Sequence, residues 1–469
     1  MESQTQRTSI TELSGPAPMP LQAYDLANLG YVEEEFLLHG TATCFKFIGE
    51  RTAEGKWRVE PDSQAPFVTR LLVRRPANSA RFSGTVIVEW NNVSGGIDAS
   101  PDWTLLHRHL VRRGHAWVGV TAQKVGVDGG GLVDGLHLKK ISPERYGALV
   151  HPGDAWSFDI FSQAGAALRT PGSSPLGKFQ PARLVAIGES QSAMYLITYI
   201  NAIDSLARVY DGFFVHGRGI AGAPLDGTSL IRGGGNIADR LRNSPAERIR
   251  DDARVPVLVL QSETDVLSLG GGRPKQPDSE RLRLWEIAGT AHADTYLIIA
   301  GPQDDGRLAP ERFAELLKPT NHLVIGDTES QINSGPQQHY VGHAAIEALD
   351  RWTRGGAAPS SAPRLEIDGS ATGFLLDENG NAAGGIRTPW VDVPTGILSG
   401  LGQSGGVFGF LFGTTKLFEA ARLARLYPGG KREYVARFVR SLDDAISKGF
   451  LVADDREEIA ALAAASFNA

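Results

Sequence analysis

The chain has 469 residues, 42% of them hydrophobic and 21% charged, which excludes a disordered or fibrous protein and leaves room for one large domain with insertions, or for two. A net charge of -6, with no Lys/Arg cluster beyond pairs such as Arg112-Arg113 and Lys139-Lys140, offers no field for a phosphate backbone, so nucleic acid is not an expected partner. The single cysteine, Cys44, rules out an intrachain disulfide and a thiolate metal cluster.

Met1 to Arg7 carries no apolar leader, and no window approaches ~18 uninterrupted apolar residues, so no signal peptide or membrane span is expected and the cytoplasm is the default location. Residues 1–20 are polar and read as a loose amino-terminal segment. From Tyr31 to Phe47 and from Trp57 to Arg75, β-branched and aromatic residues recur between turn residues, which predicts antiparallel strands. Short, nearly continuous apolar runs follow at Thr85–Trp90, Ala116–Thr121, Leu184–Ile187, Gly212–Val215, Val257–Leu260 and Leu284–Ile287. Runs of that kind mark strands buried on both faces. Helical patterns at Leu105–Arg113, Ser157–Leu168 and Ser192–Ile203 alternate with them. That rhythm predicts an α/β fold with a mostly parallel central sheet covered by helices on both faces.

Residues 219–252 break the rhythm with Gly233-Gly234-Gly235 and a charged run, and read as a lid or cap insertion above the strand ends. Tyr340–Arg354 predicts a helix closed by Gly355-Gly356, whereas residues 364–400 look irregular and turn-rich. Beyond them, Val435, Phe438, Val439, Leu442 and Ile446 keep the spacing of one helix face, so residues 401–469 read as a helical extension packed on a body spanning 21–400.

The most informative stretch is Gly188-Glu189-Ser190-Gln191-Ser192, between the apolar run ending at Ile187 and the helical pattern from Ser192. A strand that breaks at a serine and continues as a helix lifts the hydroxyl out of the backbone, and small flanking residues let strand and helix approach. A serine hydroxyl needs a base, and the base needs a carboxylate to orient it. Both occur downstream, each just past a strand's carboxyl end: Gln261-Ser262-Glu263-Thr264-Asp265 and Gly289-Thr290-Ala291-His292. Ser190 is therefore the candidate nucleophile, His292 the candidate base and Asp265 the favoured acid, with Glu263 as the alternative. Oxyanion donors are expected from the Gln191 amide and from the loop Asn91 to Gly96, with Asn92 or its neighbours as the second donor.

The order serine, acid, histidine resembles that of the α/β-hydrolase superfamily. The local marks Val88-Glu89-Trp90-Asn91-Asn92-Val93, Gly188 to Ala193, Gln261 to Val266, Ala288 to Asp294 and Gly380-Asn381 through Gly384 to Pro389 are similar to a bacterial group of α/β-hydrolase-domain proteins. That resemblance implies hydrolysis of a small-molecule carboxylic ester by Ser190, His292 and an acid, without a cofactor. An amide or a lactone is open to the same residues, and a non-catalytic relative that binds a ligand or partner is the rival from another class. His339 and His343 fall four apart on a predicted helix, but no Glu at 340 and no third ligand accompany them, so no metal is expected. Trp90, Trp103 and Trp390 are candidates for an apolar substrate wall.

Overall fold

The computed structural model describes residues 8–18, 22–131, 133, 135–228, 244–324, 326–405 and 408–467. Among them, nine strands form one sheet: β1 (Ser9–Leu13), β2 (Tyr31–Phe47), β3 (Val59–Pro76), β4 (Thr85–Trp90), β5 (Ala116–Val120), β6 (Arg183–Glu189), β7 (Gly212–His216), β8 (Val257–Ser262) and β9 (Leu282–Ile287). Their order across the sheet is β1-β2-β3-β5-β4-β6-β7-β8-β9. The first three strands and β5 pair antiparallel, and β5, β4, β6, β7, β8 and β9 run parallel. Thr85–Trp90 and Val257–Ser262 are buried at every position, as strands covered on both faces must be.

The long β2–β3 ribbon is held differently. Arg74 on β3 faces Glu33 across the ladder at 2.7 Å, and the buried Arg70 guanidinium reaches Glu35 at 2.5 Å, so paired charges replace apolar contacts along part of the ribbon. The amino-terminal expectation needs correction. Ser9–Leu13 is an edge strand paired to Glu35–His39; three of its five side chains are exposed, and beside the backbone ladder only Ile10 and Leu13 pack on the body.

Helices α1 (Pro101–Arg113), α2 (Ser157–Leu168), α3 (Gln191–Thr198), α4 (Glu263–Leu267), α5 (Gln337–Thr353), α6 (Gly430–Ser447) and α7 (Arg456–Ser466) complete the frame. Phe158, Phe161 and Leu196 from α2 and α3 join Val88, Ala186 and Phe213 in one core. On the opposite face Leu106 and Leu110 of α1 and Val341 and Leu349 of α5 meet Ile87, Val185 and Phe214. Phe438 and Leu442 of α6 and Ile459 and Leu462 of α7 extend that second core, so burial explains the apolar stripe of the last helices.

Two boundaries shift. Gly396–Ser399 (β10) pairs antiparallel with Thr414–Leu417 (β11), so the division at residue 400 falls inside a strand pair, and residues 401–469 are not simply helical. Of the segment 219–252, read above as a lid or cap, residues 229–243, with the glycine run, lie outside the described residues. Its two described ends are fastened: Ala223 donates to Met194 O at 2.8 Å, Glu247 to Ile220 O at 3.0 Å, and the Glu247 carboxylate pairs with Arg51 at 2.5 Å. Among the described residues no helix is long and apolar enough to cross a membrane.

Candidate active site

The sheet order reverses around β4, whose neighbours are β5 and β6, and the loops after β4 and β6 flank that reversal. Open parallel sheets bind ligands at such a crevice. Ser190 follows β6 directly and opens α3, with φ +62° and ψ -118°. A non-glycine residue there is strained, and the turn is held by its neighbours: Ser190 N–H donates to His216 O at 2.9 Å at the end of β7. A Cβ on Gly188 would stand 3.0 Å from the Ser192 Cβ, so glycine is needed for strand and helix to approach. Ser192 stands where a second glycine is usual in such turns, and it fits, because its hydroxyl is buried and donates to Asn91 O at 3.3 Å.

His292 lies past the carboxyl end of β9 and is 4% exposed. Its Nε2 is 2.8 Å from Ser190 Oγ and its Nδ1 is 2.5 Å from Asp265 Oδ1. Gly217 passes so close that a Cβ there would lie 3.0 Å from the imidazole. The carboxylate is set by a helix cap. Asp265 Oδ2 accepts from Ser262 N at 2.6 Å and from Ser262 Oγ at 2.8 Å, while Asp265 N–H donates back to Ser262 Oγ, a reciprocal capping box that leaves Oδ1 for the histidine. The pattern Ser262-x-x-Asp265 was visible in the sequence as a discriminator between the two acids.

Glu263 stands elsewhere. Its carboxyl accepts from Gly289 N at 2.6 Å, Gly400 N at 2.8 Å and Ser399 Oγ at 3.2 Å, tying the histidine loop to the end of β10. Burial pushes it up to about 7, against those three donors. Asp294, two residues past His292, is fully buried, accepts from Leu297 N at 2.9 Å, and is likewise raised to about 7 by burial.

Asn92 is not available as the sequence reading placed it. Its N–H donates to Ala99 O at 2.8 Å, and its side-chain amide donates to Glu189 O at 3.0 Å and Glu189 Oε2 at 3.1 Å. Both of its donors are consumed locally. The Gln191 amide, at the first position of α3, and the Val93 amide draw no hydrogen bond among the described residues.

Glu189 escaped the sequence reading. The same carboxylate that Asn92 clamps places Oε1 2.9 Å from His292 Nε2, so two oxygens, from Glu189 and Ser190, converge on one nitrogen. Burial alone would lower the His292 imidazole; Glu189 and Asp265 outweigh it and hold the ring up at about 10. The residue was in plain view beside the serine, but which way a strand-end side chain turns has no sequence signal.

The pocket before Ser190 is lined by Ser94, Met194, Leu269, Phe408, Phe410 and Leu411. The three last come from the carboxyl-terminal extension, whose Leu411 O accepts from Ala293 N at 3.0 Å, next to the histidine. The tryptophans do not form this wall. Trp90 and Trp103 are buried in the two cores, and Trp390 stacks on Tyr340. His339 and His343 are core residues too: their Nδ1 atoms meet Leu105 O and Asp455 Oδ2, and burial holds both rings well below the usual histidine range.

A strained serine at the crevice edge of a mostly parallel sheet, with a histidine and a carboxylate delivered by two later strands of the same edge, defines an α/β protein of the hydrolase type. The sequence profile of the α/β hydrolase domain family matches residues 4–461, nearly the whole chain, and the protein belongs to that family. None of the curated proteins matches it. Among solved structures it is similar to the esterase rPPE in a variant form, at 13% identity over 63% of this chain and 82% of that one, TM-score 0.31. It is similar also to a cold-adapted esterase from an Arctic intertidal metagenomic library, at 12% identity over 53% and 84%, TM-score 0.28. An α/β serine hydrolase without lid from Xanthomonas campestris matches at 11% identity over 52% and 83%, TM-score 0.28.

Proposed function

We propose that the protein is a serine hydrolase that cleaves a small carboxylic ester through an acyl-enzyme. The observation that carries this reading is the unbroken line from Ser190 Oγ to His292 Nε2 at 2.8 Å and from His292 Nδ1 to Asp265 at 2.5 Å, on a serine held at φ +62°. In the forward step Ser190 Oγ bonds to the ester carbonyl carbon while its proton passes to His292 Nε2. Asp265 keeps the Nδ1 proton in place and balances the imidazolium. The negative oxygen is met by the Gln191 amide directly after the serine, with the Val93 amide of the loop after β4 as the second donor. Collapse breaks the ester C–O bond, and the alcohol leaves with the Nε2 proton. Water then repeats the sequence: it gives a proton to His292, bonds to the acyl carbon, and releases the acid as the proton returns to Ser190 Oγ.

Met194, Leu269, Phe408, Phe410 and Leu411 favour an apolar group beside the serine, and no cofactor enters any step. The test is hydrolysis of a panel of p-nitrophenyl esters together with labelling by a fluorophosphonate. Wild type is expected to cleave short esters and to take the label at Ser190. Ester cleavage that persists undiminished in Ser190→Ala, or a folded wild type that never takes the label, would sink the reading; the second result favours a ligand-binding relative.

A further inference from the structure

The carboxylate of Glu189 has no place in the steps above, yet it stands at the atom through which every proton must pass. Its Oε1 is 2.9 Å from His292 Nε2, and Ser190 Oγ is 2.8 Å from the same nitrogen. The contact is built, not incidental. Asn92 Nδ2 holds the other oxygen, Oε2, at 3.1 Å, and also donates to the Glu189 carbonyl, so the side chain is fixed at both ends. Glu189 is 5% exposed and cannot turn to water without giving up both partners.

A neutral imidazole offers Nε2 as a lone pair, which repels a carboxylate oxygen at that distance; a protonated one offers N–H, which both oxygens can accept. We propose that Glu189 is a positioning residue that keeps a proton on His292 Nε2 at rest, shared with Ser190 Oγ, and so sets the acid limit of the reaction. This rests on the ester-hydrolysis reading. The same contact acts in two directions. Before attack the proton must leave for the histidine to serve as base, so Glu189 slows the reaction in acid. After attack the imidazolium is again present and Glu189 stabilises it, which speeds the reaction in alkali.

Other charged groups around the ring are already engaged. Asp265 is on the opposite nitrogen. His216 is paired with Asp102 at 2.8 Å, Asp294 caps the turn at Leu297, and the Arg218 guanidinium turns to the Gly219 and Glu247 carbonyls. From α5 only the Gln338 amide reaches this residue, at its carbonyl, and the pocket residues Phe408, Phe410 and Leu411 carry no charge. The ring stands at about 10, with Glu189 the largest upward influence against burial.

The experiment is the pH profile of kcat/KM for p-nitrophenyl acetate in wild type and Glu189→Gln. In the variant the acid limb is expected to move down by about one to three pH units and the alkaline plateau to fall about tenfold, so the two curves cross. An unmoved acid limb overturns the proposal, whatever happens to the plateau. Titration of the His292 ring by NMR in Ser190→Ala, with and without Glu189→Gln, reads the same shift without turnover. It therefore decides the Glu189 claim even if no ester is cleaved and the ester-hydrolysis reading fails. Should Glu189→Gln not fold, Asn92→Ala frees the carboxylate instead and is expected to move the acid limb in the same direction by a smaller step; no movement there overturns the proposal as well.

Discussion

Two histidine–carboxylate pairs lie at the carboxyl edge of the parallel strands, and they make an instructive contrast. His292 follows β9 and meets Asp265 at 2.5 Å; His216 ends β7 and meets Asp102 at 2.8 Å. Both are buried, and both rings are raised against the lowering effect of burial, His216 chiefly by Asp102 and His292 by Glu189 together with Asp265. They differ in what the outer face of the pair meets. His292 presents Nε2 to the strained Ser190, whereas His216 uses its backbone carbonyl to hold Ser190 N–H, and Asp102 sits on the first turn of α1, where Glu89 accepts its amide at 3.0 Å. A paired histidine is thus one half of a site; under the proposed mechanism the hydroxyl at the second nitrogen is what separates a reacting pair from one that holds the scaffold.

The contrast breaks most sharply by mutation at the reacting line. His292→Ala is expected to lower kcat/KM for p-nitrophenyl acetate by about 10⁴-fold or more, whereas His216→Ala, corrected for the folded fraction, stays within about tenfold of wild type. Equal losses would show that the two pairs work together. Asp265→Asn should cost about 10³-fold to 10⁴-fold in kcat, because the wrong tautomer is presented to the serine, while Glu263→Gln should leave kcat within about tenfold; steady-state kinetics of both variants reads the difference.

Stability reports the scaffold pair. Removing the His216 ring strands Asp102, fully buried, so His216→Ala should lose about 3–5 kcal/mol in denaturant unfolding. A pH series sharpens this. His216 holds its proton more tightly folded than the ordinary 6.5 of an unfolded chain, so its contribution is full below that value and is lost as pH rises through the raised folded value. His216→Gln should flatten that part of the stability profile. The smallest effect expected is at the pocket wall: Phe410→Ala should weaken KM for an apolar acyl ester by about tenfold and leave kcat for acetyl esters nearly unchanged.

How much of this was legible follows from where each signal resides. The parallel strands announced themselves because burial on both faces forces an apolar run, and Leu184–Ile187 or Val257–Leu260 can be read for that reason alone. Ser9–Leu13 was hidden because an edge strand is fixed by backbone bonds, which leave no mark on side-chain type. Ser190, His292 and the acid loop were placed by their order along the chain. Asp265 was favoured there with Glu263 as the alternative, and what separates the two is which one the Ser262 cap receives. Asn92 was expected as a donor from its residue type and loop, but its donors go to Glu189 and Ala99. Phe408 to Leu411 reach Ser190 across intervening chain that includes β7, β8 and β9, a contact that only the folded path of the extension creates.

The carboxyl-terminal strap has a temporal meaning. Leu411 and Phe412 accept hydrogen bonds from Ala293 and Asn333, and the strap's aromatic residues wall the serine pocket. During synthesis Ser190 and His292 leave the ribosome first, and the strap follows roughly 10 s later at ordinary elongation rates of about 5–20 residues per second. For that interval the nascent chain carries Ser190 and His292 without the residues that wall the pocket. The wall beside Ser190 is therefore the last part of the pocket to be synthesised.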